Sequence, residues 1–252
     1  MPICTAHALI LRRHDVRETS LLLEVLTAEW GRFSGLIKGF RDQPARYGSP
    51  ALPGSLNTIV FYDTPRKSVF LMSQCDLLDE LTSRIHQPTA LQAQARILEL
   101  LHQGTAPRDP QPELFRLAVQ ALRTLSTARH ASMATRLFEL KFLKLLGLHP
   151  SIEECVGCNQ PPGAHAGLSL RLGGLLCPQC AIQDRAAQPL TPGTLATLQH
   201  ALRASWMQAL RLQWSPRIRT EIERLLDRFV AFHVDIRLQT PLADEEPAYA
   251  ET

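Results

Sequence analysis

SLLLEVLTAEWGRFSGLIK, residues 20–38, is the stretch on which the fold turns. Two short apolar runs, 20–26 and 33–38, flank Ala28-Glu29-Trp30-Gly31. Glycine accepts the positive φ that a tight reversal needs, so the stretch reads as a β-hairpin. Working outward, the same strand character covers residues 5–77, with further runs at 5–11, 56–62 and 68–74 and a second turn at Asp63-Thr64-Pro65-Arg66. Five short strands in so little chain fit a small barrel closed on itself, since closure removes exposed edges. An OB-type barrel is the expected form.

Past residue 82 the hydrophobic period changes from two to about 3.6, the period of a helix. A helix is expected over 88–103 with Leu91, Ala95, Leu98 and Leu101 on its inner side, and another over 113–125 with Leu114, Ala118, Ala121 and Leu125. A third, over 132–146, aligns Leu137, Leu140, Leu143 and Leu146 and stops at Gly147, with Pro150 just beyond. Helical stretches follow at 192–210 and 216–236. In the latter, Ile218, Ile222, Leu225, Phe229 and Phe232 recur at steps of three and four, opposite a solvated face of Arg217, Glu221, Arg224 and Arg228. The expected fold class is α+β and multidomain: an all-β OB barrel at 1–80, then an α-helical domain at 81–240 with a cysteine module inserted at 155–180. A flexible acidic tail follows at 241–252.

The 252 residues are 45% apolar and 20% charged, an ordinary balance for a globular chain with real cores. The densest apolar stretch, 137–148, is interrupted by Glu139, Lys141 and Lys144, so no membrane span is expected. Without a basic leader or a small-residue cleavage site near residue 13, the expected location is the cytoplasm. The net charge of +3 hides an asymmetry. Asp244, Glu245, Glu246 and Glu251 lie in the tail, leaving residues 1–240 at +7. Between positions 32 and 67 the bases Arg32, Lys38, Arg41, Arg46, Arg66 and Lys67 face only Asp42 and Asp63. OB barrels bind single strands with a positive groove and stacking aromatics, so these six are candidate nucleic-acid contacts. Phe40 and Tyr47, in a Gly-, Pro- and Arg-rich loop, are the candidate stacking platforms, whereas Phe61 and Phe70 read as core.

Four of the six cysteines form Cys155-Val-Gly-Cys158 and Cys177-Pro-Gln-Cys180, with 18 residues between the pairs. That spacing is the pattern of four-cysteine zinc sites, in which each turn aims two thiolates at one point. With four protein ligands no position is left for water or substrate, so one structural Zn²⁺ per chain is expected. A redox reading needs a Cys-x-x-Cys opening a helix in an alternating strand–helix unit, and neither pair has that setting. His149 and His165 read as bystanders, Cys4 and Cys75 as small apolar residues. No phosphate loop, dinucleotide fingerprint, zinc-protease motif or nucleophile elbow occurs, and the carboxylates at Glu153-Glu154, Glu221 and Glu223 sit at spacings that point apart. The catalytic assignment is therefore none. One reading open to such a chain is a zinc-ribbon nucleic-acid adaptor or transcription factor in which the barrel serves protein contacts.

Glu18-Thr-Ser-Leu-Leu-Leu-Glu-Val-Leu-Thr27, then Gly31-Arg32 and Ile37-Lys-Gly-Phe-Arg41, resembles the N-terminal signature of the RecO family of recombination mediators. Arg136-Leu-Phe-Glu-Leu140, continuing to Leu146-Gly147 and Pro150, resembles that family's central helix, which Cys-x-x-Cys pairs follow in many members. The resemblance implies a DNA-repair protein of the RecFOR pathway, nucleoid-associated and non-enzymatic. Such proteins bind single- and double-stranded DNA, anneal complementary strands and, with RecR, help RecA displace single-strand-binding protein. It also implies that the central helix helps receive the acidic C-terminal tail of single-strand-binding protein, with Arg136 as the first candidate contact and Arg116 and Arg123 as additions. This chain departs from the family at Asp42-Gln43-Pro44, where a more basic loop is usual.

Overall fold

The computed structural model describes residues 2–43, 46–64, 67–81, 87–125 and 131–233. Its first part is a closed five-stranded barrel of β1 (Ile3–Val16), β2 (Ser20–Thr27), β3 (Gly31–Ile37), β4 (Leu56–Tyr62) and β5 (Val69–Asp79). Around the barrel the order is β1-β2-β3-β5-β4, and β1 closes it by pairing antiparallel with β4. All neighbours are antiparallel except β3 and β5, which pair in parallel from Ser34↔Val69 to Ile37↔Met72. This is an OB-like barrel. The expected hairpin is present, with Leu21↔Ile37 and Thr27↔Gly31 in register.

Alternation carries the core, because successive strand residues point to opposite faces. Ala6, Ala8, Ile10, Leu21, Leu23, Val25, Phe33, Ile37, Ile59, Phe61, Phe70 and Met72 point inward and are buried together. Phe61 lies 4.9 Å from Phe33 and 5.5 Å from Phe70, ring centre to ring centre. Strands β1 and β5 run longer than expected. The bulge between Ile10 and Arg12 lets β1 continue along β2 to the turn, and β5 stays paired with β4 as far as Asp79.

Two helices belong to the same compact unit: α1 (Pro88–Gly104) and α2 (Pro112–Leu125). Compactness therefore divides the described chain at 132/133, whereas the hydrophobic period changes near residue 80. On α2 the expected inner residues are all buried. On α1, Leu91 and Ala95 are exposed, and the buried residues instead include Ala90, Ala93, Ile97, Leu98, Leu100 and Leu101. Two overlapping helical stripes share Leu98 and Leu101, and packing on the barrel selects the one through Ala93 and Ile97.

The second unit contains most of α3 (Ala131–Leu145), a small sheet of β6 (Gly167–Ser169), β7 (Gly174–Leu176) and β8 (Gln188–Pro189), then α4 (Pro192–Arg203), α5 (Trp206–Ala209) and α6 (Pro216–His233). Helix α3 is buried on every side from Ala131 to Leu140. The single helix expected over 192–210 is broken at Ala204, whose backbone is extended. Ser205 starts α5 there, its N–H donating to Gln208 Oε1 at 3.0 Å. The Ser-x-x-Gln capping box was legible in the sequence and marks that start. Phe232 is exposed, because the buried stripe of α6 ends at Val230. No described helix is long and apolar enough to cross a membrane.

Candidate nucleic-acid interface and metal centre

Each Cys-x-x-Cys segment folds into a tight knuckle. The first is closed by Asn159 N–H donating to Cys155 O at 2.8 Å, the second by Ala181 N–H donating to Cys177 O at 2.9 Å. The β6–β7 hairpin returns the second knuckle to the first, and Val156 N–H donates to Leu175 O across the join. The four sulfurs then lie within 4.8 Å of one another, and the Cys158 and Cys177 Sγ atoms are 3.8 Å apart. Zn–S bonds near 2.3 Å in a tetrahedron require an S···S edge of about 3.8 Å. Gly157 lets the knuckles approach closely, since a Cβ on it would stand 3.0 Å from Cys180 Sγ.

The donor chemistry fits a dication. Burial raises the Cys155 pKa, but N–H groups of Cys177 and Gly157 aimed at its sulfur from 3.2 and 3.4 Å outweigh that, and it falls to about 6. Cys180 is instead pushed up to about 12, first by the adjacent Cys177 thiol and then by burial. Four clustered sulfurs cannot all ionise without a cation among them. Cys155, Cys158, Cys177 and Cys180 thus form a cluster able to hold zinc, and neither His149 nor His165 belongs to it. Cys75 is fully buried, as expected, and its thiol is raised to about 11 by desolvation.

The barrel cations divide into committed and uncommitted groups. Arg32 is committed: its Nε and Nη2 donate to Thr105 O at 3.1 and 3.0 Å, and Nη1 lies 3.9 Å from Glu24. Arg41 donates to Arg17 O and, at 3.5 Å, to Asp15, so it pins the β1–β2 turn. Arg13, which the sequence reading did not single out, donates to Pro50 O at 2.6 Å and lies over the Phe40 ring. The exposed side chains of Arg17, Lys38 and Lys67 have no ionic partner among the described residues, and Arg46 has only the face of Tyr47, 6.0 Å away. Arg66 lies outside the described residues. Phe40 and Tyr47, expected as open platforms, are instead 4% and 8% exposed and stack on each other at 5.0 Å. Their rings extend the barrel core, and Tyr47 Oη is held by Lys38 O.

Arg17 and Lys38 line a groove of about 890 Å³ together with Val16, Glu18, Thr19, Ser20 and Leu36. Arg17 is in the left-handed region, at φ 54°, which swings its side chain out at the turn.

The candidates for the acidic-peptide site also differ. Arg136 is 6% exposed and engaged through both terminal nitrogens, while its buried Nε has no hydrogen-bond partner among the described residues. It donates to Asp227 from both terminal nitrogens at 2.6 and 3.1 Å and to Glu139, which has no exposure, at 2.8 Å. Its pKa is raised well above the usual arginine value: burial opposes the charge, but Glu139 and Asp227 overcome it. Arg116 is exposed and weakly paired with Glu113, and Arg123 pairs with Asp79 at 2.8 Å.

Family models describe these two parts. "Recombination protein O N terminal" matches residues 1–81 and "Recombination protein O C terminal" matches residues 86–241. The chain belongs to the RecO family. It is 28% identical to the DNA repair protein RecO of Moorella thermoacetica over 238 residues, covering 93% of this chain and 88% of that protein. Against the RecO of Bacillus pumilus the identity is 26%, over 89% of this chain and 86% of its relative. For Frankia casuarinae RecO it is 29%, over 83% and 86%. It is a DNA repair and recombination protein of the RecO kind, with the OB-like barrel and the cysteine cluster in their expected order.

Proposed function

We propose that this protein binds single- and double-stranded DNA through its barrel and anneals complementary strands. With RecR it would help RecA onto DNA covered by single-strand-binding protein. The observation that carries the reading is the set of barrel cations with no ionic partner among the described residues, Arg17, Lys38, Arg46 and Lys67, on a chain of the RecO family. Annealing needs no covalent chemistry. Neutralising phosphates lets two polyanions approach, and affinity then falls steeply with salt. The action is non-enzymatic, in the cytoplasm and at the nucleoid. Residues 1–80 serve as the DNA-binding domain and 81–240 as the helical domain.

Zinc held by Cys155, Cys158, Cys177 and Cys180 is structural in this reading, fixing the knuckles that carry β6 and β7. The acidic tail of single-strand-binding protein is met by Arg116 and Arg123 on α2 and by Arg136 on α3. Arg136 is now occupied by Asp227, which is 53% exposed, so an incoming carboxylate would have to exchange with it. The chain's own acidic segment 241–252 lies outside the described residues.

Annealing of complementary oligonucleotides coated with single-strand-binding protein, measured at low and high salt, tests the reading. Salt-sensitive acceleration is expected. Zinc-dependent DNA binding with no acceleration at low salt would favour the adaptor reading instead.

A further inference from the structure

The outer face of β2 and β3, the face with which OB barrels usually hold oligonucleotides, is half covered by this chain itself. Glu24 and Arg32 lie on that face, and the end of α1 with residues 105–109 crosses over them. His102 Nδ1 is 2.6 Å from Glu24 Oε2, Arg32 holds Thr105, and Arg108 N–H donates to Arg32 O at 2.9 Å. The strap is anchored further on. The Arg108 guanidinium lies 4.5 Å above the Phe70 ring and pairs with Asp63 at 3.4 Å. At Gly31, with φ 66°, the strap comes so near that a Cβ would meet Asp109 backbone at 2.4–2.6 Å. Thus Arg32, by sequence a candidate DNA contact, spends its donors on the strap.

The uncovered half is the β1–β2 turn end, where Leu36 and Lys38 meet Arg17 in the groove of about 890 Å³. We infer that single-stranded DNA is confined to this groove, with Arg17 and Lys38 taking phosphates, and that the strap over Glu24 and Arg32 keeps the strand from crossing the rest of the β2–β3 face. The inference rests on the DNA-binding reading and names its track. Glu18, also in the groove, opposes the two cations and weakens the grip. Arg41 holds the turn that presents Arg17, through Arg17 O and through its own N–H to Thr19 O at 3.0 Å.

The test uses the full chain and a fluorescein-labelled oligothymidylate, titrated across a series of salt concentrations. Each lost phosphate contact lowers the slope of log K against log salt by about 0.7 for single strands. Arg17→Ala and Lys38→Ala should each lower the slope by that amount and weaken binding several-fold, and Glu18→Gln should tighten it. Arg32→Ala should leave the slope unchanged, whatever it does to the melting temperature. In the unaltered protein, an oligonucleotide carrying 5-bromodeoxyuridine should photo-crosslink to peptides containing residues 16–20 or 36–38. Crosslinks at Glu24 or Arg32, or slopes unmoved by both alanine variants while the parent chain binds, would overturn the confinement. A parent chain with no salt-dependent affinity for the oligonucleotide would overturn the DNA-binding reading beneath it.

Discussion

The barrel unit and the second unit are held together by different physics. In the barrel, backbone pairing closes the sheet and the interior is apolar, with Phe33, Phe61 and Phe70 in mutual contact. The second unit has an apolar core too, but its elements are fastened by charge and sulfur. Helix α4 is gripped at both ends. Glu221 accepts from Thr191 N, Thr191 Oγ1 and Thr194 Oγ1 at its start, while Lys141 and Lys144 donate to Ala204 O and Leu202 O at its end. Carboxylate at the N-terminus and ammonium at the C-terminus both complement the helix dipole. Arg136 joins α3 to α6 through Asp227, and four sulfurs gather strands of three residues or fewer. An apolar core tolerates changes of pH and metal. The charge and sulfur fastenings do not.

The largest expected effect follows from that contrast. Stripping zinc with a chelator should open residues 151–190, because structural zinc sites contribute on the order of 10 kcal/mol to modules with so little core. Amide hydrogen exchange should rise there and stay slow in the barrel strands. Equal loss of protection in both units would erase the distinction.

Next, Arg136→Ala removes the guanidinium that buried Glu139 shares with Asp227, at a cost of about 3–5 kcal/mol. The double change Arg136→Met with Glu139→Leu should restore most of that stability. Denaturant unfolding of both variants checks this, and a single variant as stable as the parent would refute the clamp. Any loss of acidic-peptide binding in Arg136→Ala must therefore be read beside its stability.

Within the barrel, Gly31→Ala should cost about 1–3 kcal/mol, since a side chain there combines positive φ with a clash against the strap. Faster exchange at residues 105–109 with an intact barrel core is the expected pattern. Unaltered exchange in the strap would mean that Gly31 does not set its approach.

The smallest effect concerns pH. Burial raises the Glu221 pKa, but the Thr194 and Thr191 donors and Arg217 outweigh it, holding the carboxyl down at about 2 against an ordinary 4.5. A depressed folded-state pKa means that the folded chain binds fewer protons, so the contribution is whole above about pH 4.5 and lost as pH falls toward 2. Glu221→Gln should flatten the stability curve over that window. A parallel curve displaced at every pH would count against the linkage.

Much of this was open to reading in advance. The hairpin at 20–38, the five strands and the four clustered cysteines depend on neighbours in the chain, on alternation and on fixed spacing. The break at Ala204 also had a local sign, in Ser205 and Gln208. The inner face of α1 had none, because two stripes compete and the choice lies with what packs against them. Nor did the fate of the arginines: Arg17 and Arg32 both stand among turns in a basic stretch, and Arg136 looks like a surface residue of an amphipathic helix.

The barrel strands, the main helices and the four clustered cysteines were determined by the sequence alone, because period and spacing act over a few residues. Which cations remain available was decided only by the tertiary structure. Arg32 is claimed by Thr105, 73 residues away, and Arg136 by Asp227, 91 residues away, while Arg17 has no such claimant among the described residues. A guanidinium has its charge wherever it stands, but its donors are spent on whatever the fold brings within reach.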